Sequence, residues 1–156
     1  LTSGDYYARL VIEIESLERD TMILDAFNKP NKLSWDILDS VVSHAIDNLE
    51  LDTGVIKELN IIFKGANGDN CGYFDGLEDE DDGIAAIEIN SKKSVDVIIT
   101  TIFHELVHVQ QVLTGAFDDV AKTWHGETYA NVDYDNLPWE IDAFDKEAAL
   151  YASWKA

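Results

Sequence analysis

One cysteine, two prolines and eleven basic residues among 156 are the scarcities of this chain. With Cys71 alone, no internal disulfide can form, which excludes a disulfide-stapled scaffold. No basic-then-apolar leader opens the sequence either, so a reducing, cytoplasmic setting is expected. No apolar run approaches the ~18 residues a membrane helix needs, because charged or polar residues interrupt every stretch. Eleven basic residues face 31 acidic ones, a formal charge of −20. Nucleic acid and anionic lipid are therefore poor partners, and a basic peptide or protein is a better one. There is no fixed-period repeat and no Gly/Ser/Pro-rich linker, so residues 1–156 are expected to form a single domain. Hydrophobic residues make up 46% of the chain, enough for a core at this length.

Local pattern supplies the organisation. From Tyr7 to Leu17, apolar Ala8, Leu10, Ile12 and Ile14 alternate with Arg9, Glu13 and Glu15, as in a strand with one buried face, although Val11 blurs the alternation. Ser34 can cap a helix whose apolar stripe is Trp35, Leu38, Val41, Val42, Ala45, Ile46 and Leu49. Leu59, Ile61 and Phe63 alternate with polar neighbours. Tyr73-Phe74 and Ala85, Ile87 and Ile89 give two further short strands around the acidic stretch Glu78 to Asp82. Ser94 can cap a long helix that Gly115 terminates, and Pro138 opens a last helix toward Trp154. The order of strand, helix, strands, helix and helix predicts an α+β domain.

The predicted helix after Ser94 contains His104-Glu105-Leu106-Val107-His108. At about 100° per residue the two histidines lie about 40° apart and one turn along, so both imidazoles can reach one ion. Glu105 is too close in sequence to ligate comfortably with them, but it can reach a metal-bound water as a general base. A catalytic zinc needs a third protein ligand and one open position. The metzincin pattern asks for glycine and then histidine three and six residues after the second histidine. Gln111 and Thr114 stand there, which excludes it.

Downstream candidates for the third ligand are His125, Glu127, Glu140, Asp142 and Glu147. Glu140 is the most economical, one turn into a helix that could lie beside the metal helix. Phe103-His104-Glu105-Leu106-Val107-His108 together with Pro138-Trp139-Glu140-Ile141-Asp142-Ala143 resembles the gluzincin group of zinc metallopeptidases, in which a glutamate ligand follows on a separate helix. More narrowly, the chain looks like small bacterial and phage-encoded HExxH proteins with a downstream Trp-x-Gly and Pro-Trp-Glu. The resemblance covers roughly residues 89–150. It implies a zincin-like fold, with the HExxH helix beneath a small, mostly antiparallel sheet whose edge strand borders a substrate cleft. The chain departs from the group in lacking an Asn-Glu opening of the glutamate helix. It also places Phe144 where some gluzincins have an aspartate that orients a histidine. Backbone capping near the third helical position competes with ligation as a role for Glu140. His125 is the next candidate ligand.

His125, Tyr129 and Tyr134 are the candidates to stabilise an oxyanion, while Trp124 and Gly126 shape their connection. Asp142 and Asp145 are candidates to hydrogen-bond a ligating histidine. His44 is assigned no role. The acidic stretch from Glu78 is no calcium loop, since Ile89 falls where an EF-hand requires glutamate. The leading expectation is a zinc-dependent metallopeptidase in which His104, His108 and Glu140 hold Zn2+ and Glu105 is the base, acting on a peptide or protein substrate. The alternatives are a catalytically silent zinc-binding interaction domain and, further off, hydrolysis of a non-peptide amide such as a cell-wall crosslink.

Overall fold

A computed structural model describes residues 7–14, 20–51, 55–65, 68–79 and 83–156. The elements run β1 (Tyr7–Ile14), β2 (Asp20–Phe27), α1 (Trp35–Leu49), β3 (Glu58–Lys64), β4 (Gly72–Asp79), β5 (Ile84–Asn90) and α2 (Val95–Leu113). Three two-residue strands follow, β6 (Phe117–Asp118), β7 (Thr123–Trp124) and β8 (Glu127–Thr128). A 3-10 turn at Tyr134–Asn136 then leads into α3 (Pro138–Lys155). The fold is α+β, as expected. Among the described residues, no helix is long and apolar enough to cross a membrane.

The main sheet has the order β1-β2-β3-β5-β4. β1 with β2 and β4 with β5 are antiparallel, whereas β2 with β3 and β3 with β5 are parallel. This sheet is therefore evenly mixed where a mostly antiparallel one was expected. The cause lies in the connections: α1 carries the chain from β2 across to a parallel β3, and β4 takes the sheet edge before β5 returns beside β3. The small sheet β6-β7-β8 is antiparallel throughout. β2 has no counterpart among the predicted strands, and the predicted residues 15–17 lie outside the described ones, as do 80–82 of the acidic stretch.

α1 and α2 each begin where a capping serine stands. Ser34 Oγ accepts from the Ile37 amide at 3.1 Å, and Ser94 Oγ from the Val97 amide at 3.3 Å. α2 stops one residue before Thr114, and Gly115 follows with φ +79°, a left-handed conformation that suits glycine. The core lies between the helices and one face of the sheet. Leu59, Ile61 and Phe63 of β3 and Ala85, Ile87 and Ile89 of β5 meet Leu38, Val42 and Ile46 of α1 and Ile98, Ile102 and Leu106 of α2. α3 packs mainly on α2, with residues 140, 143, 147 and 150 at the seven-residue repeat of a helix face.

Glycine brings β4 close to α2. A Cβ on Gly72 would sit 2.6 Å from the Glu88 carbonyl oxygen and 2.7 Å from Thr101 Cγ2, one turn before Glu105. The loop before β4 is held by the buried Asn90 side chain, whose Nδ2 donates to the Asn70 carbonyl at 2.9 Å and the Gly68 carbonyl at 3.3 Å. Together these contacts fix the wall that faces the HELVH turn.

Candidate metal centre

Every residue from Thr101 to Val109 is buried, including three that carry ionisable groups. Polar groups in that position need partners, because burying one without them costs a few kcal/mol. α3 supplies them. Glu140 Oε2 lies 3.0 Å from His104 Nε2, and Glu140 Oε1 lies 3.2 Å from His108 Nε2. One carboxylate thus faces both imidazoles. Pro138 at the first helical position starts α3 so that Glu140 comes two residues later, pointing at α2. Its oxygens are engaged by His104, His108 and the Tyr134 hydroxyl, which donates to Oε2 at 2.8 Å. The residue therefore serves the histidine pair rather than a backbone cap.

His104, His108 and Glu140 form a buried group whose donor atoms all lie within 4.8 Å of one another, and it could hold a metal ion. Two donors bound tetrahedrally at zinc distances are roughly 3.3 Å apart, close to the separations found between Glu140 and each histidine. The nitrogen and carboxylate donors are those of a borderline cation such as zinc.

The two histidines are oriented differently. Gln111 Nε2 donates to the Trp139 carbonyl and to Asp142 Oδ2, both at 2.9 Å, so its Oε1 is left to accept from His108 Nδ1 at 2.8 Å. The proton on Nδ1 leaves the Nε2 lone pair of His108 for an ion. His104 Nδ1 is buried with no hydrogen-bond partner, 3.7 Å from Glu147 Oε1, and its ring lies 4.7 Å from that of Phe144. Phe144, four residues after Glu140, packs against the His104 ring, and Glu147, one turn further on, brings a carboxylate near Nδ1.

Electrostatics separate the roles. Burial opposes charge on His104, but the hydrogen bond to Glu140 and the neighbouring Glu147 and Glu105 outweigh it and push its pKa up to about 10. His108 shifts upward against its own burial in the same way. Burial would raise Glu140, yet its two histidine partners hold it well below the usual carboxylate range. For Glu105, burial dominates and raises it to about 7, with the histidines pulling the other way. Burial and the Glu140 carboxylate raise Tyr134.

Of the residues singled out in sequence, the fold brings together His104, Glu105, His108, Glu140, Tyr134 and Glu147. It does not bring His125 or Tyr129 to them. His125 is exposed in the β7–β8 turn with φ 49°, its amide bonded to the Ala116 carbonyl at 2.7 Å. Tyr129 stands edge-on to Trp139 at 6.1 Å, and neither Tyr129 nor His125 lines the cavities beside the group. Asp142 reaches His108 only through Gln111, and Asp145 and Glu127 are exposed. Gln111, Asn90 and Gly72 were not anticipated as site residues. For Gln111 a signal existed: three residues after His108 on a helix is the same face. Set against models of protein families, curated proteins and solved structures, the chain matches none.

Proposed function

We propose that this protein is a zinc-dependent peptidase with Glu105 as its general base. The observation that carries the reading is the placement of Glu105. It is a carboxylate outside the three-donor group but next to it on the same helical turn, and it borders the cavity on either side. Burial raises the Glu105 carboxyl, and a bound cation would act in the opposite direction. A zinc ion held by His104, His108 and Glu140 would acidify a water and polarise a carbonyl. Glu105 would accept a proton from the attacking water as the water oxygen bonds to the carbonyl carbon. The same proton passes to the nitrogen as the C–N bond breaks, leaving a carboxylic acid and an amine. Tyr134, half-exposed and facing both cavities, can turn its O–H from Glu140 to the carbonyl oxygen and stabilise the charge that develops there.

The test compares wild type with Glu105→Gln for bound zinc and for cleavage of a denatured-protein mixture. Both should hold one zinc per chain, with cleavage by the variant lower by about a hundred- to ten-thousand-fold. Equal cleavage by the two, or none from wild type at full zinc occupancy, would sink the reading.

A further inference from the structure

Two cavities meet at the candidate centre. One, of about 330 Å³, runs from His104 and Glu105 past Thr101 toward Cys71 and Val97. The other, of about 290 Å³, runs from His108 and Glu105 toward Phe74, Phe117 and Trp139. They share Asn70, Gly72, Glu105 and Tyr134, so the cavities adjoin at the three-donor group, one on either side of it.

The halves differ in chemistry. On the His108 side, Phe117 and Trp139 are stacked at 4.5 Å with 19° between their planes, and both are buried. Their backbones are held, because Phe117 begins the small sheet and Trp139, in the first turn of α3, has its carbonyl bonded by Gln111 Nε2 at 2.9 Å. The space beside them, about 290 Å³, can take one large side chain. The charges at this end, Asp119 and Lys122, are opposite in sign, so no net charge awaits a chain terminus there. At the other end the Glu147 carboxylate is turned toward His104 and Asp69 is exposed.

Resting on the peptidase reading, we infer that the cleft takes an internal segment of an extended polypeptide. A large apolar side chain next to the cut bond sits against Phe117 and Trp139. A chain end is not required on either side, since each half can be occupied by further substrate.

Zinc-loaded full-length protein is incubated with a peptide library in two forms, one with free termini and one acetylated and amidated. The products are identified by mass. Blocked peptides should be cut at internal bonds within about threefold of free ones. A Phe, Trp, Leu or Met should stand on one constant side of the bond, favoured over Gly by at least about a hundredfold in kcat/KM. A requirement for a free terminus overturns the internal-segment inference, and indifference to the flanking side chain overturns the pocket assignment. In either case the peptidase reading survives, whereas failure to cut any peptide at full zinc occupancy counts against that reading itself.

Binding gives a separate readout. Glu105→Gln titrated with a blocked Phe-containing peptide should change its tryptophan fluorescence saturably, and the change should be lost when Trp139→Phe is added. The same signal persisting without Trp139 would place the side chain elsewhere.

Discussion

At Glu140, one carboxylate balances two imidazoles in a site from which water is largely removed, and the balance depends on protons. The raised pKa of His104 means that its charged form is favoured by the folded chain. The stability this gives the metal-free protein is complete below the ordinary histidine value of ~6.5 and is lost as pH rises through about 10. Chelator-treated protein should lose resistance to urea steadily from pH 7 to pH 10; a profile that is flat or rises over that range would contradict the assignment. An ion needs both imidazoles neutral, so zinc affinity should climb with pH, by about tenfold per unit for each proton displaced. Competition titrations at pH 6, 7 and 8 would read that slope. Gln111→Leu leaves the three donors but removes the acceptor for His108 Nδ1–H. Zinc affinity should then fall by about 10–100-fold with the helical content retained.

Among the elements, the close approach of β4 to α2 is the most sensitive joint. Gly72→Ala sets a methyl against a backbone carbonyl and Thr101, and should cost about 1–3 kcal/mol in urea unfolding as β4 is pushed from the helix. The helices were legible in sequence because each carries its own punctuation: Ser34, Ser94 and Pro138 at the starts, Gly115 after the second. His104, Glu105 and His108 were legible for the same reason, since one helical turn holds all three and their relation is local. β2 was not. Met22, Ile23 and Leu24 do not alternate, and Asp25 reads as polar although it is buried, because the partner that satisfies it, Arg9 at 2.7 Å, is on another strand. The parallel pairings are likewise set by where α1 crosses, which no strand pattern encodes. Gln111 is an intermediate case. Its reach to His108 is local, but its grip on Trp139 and Asp142 exists only after α3 has docked.

For the molecule as a whole, a charge of −20 repels itself, and added salt screens it. Raising sodium chloride from about 20 to 200 mM should increase Tm, measured by circular dichroism in the metal-free state; a fall would show that specific ion pairs outweigh the general repulsion. Asp25 is one such pair. Burial would raise its pKa, but Arg9 overrides this and lowers it, so its contribution is present at neutral pH and disappears as pH drops below the ordinary carboxylate range.

α3 buries only Trp139, Glu140, Ala143 and Leu150. An ion joining His104 to Glu140 would act on this helix as a cross-link across the 36 positions between them. Closing a loop of that length removes about 4 kcal/mol of chain freedom from the unfolded state, in the way a disulfide does. A chain with one cysteine would thereby gain a removable tether, and amide exchange in α3 should slow on loading with zinc more than exchange in α1.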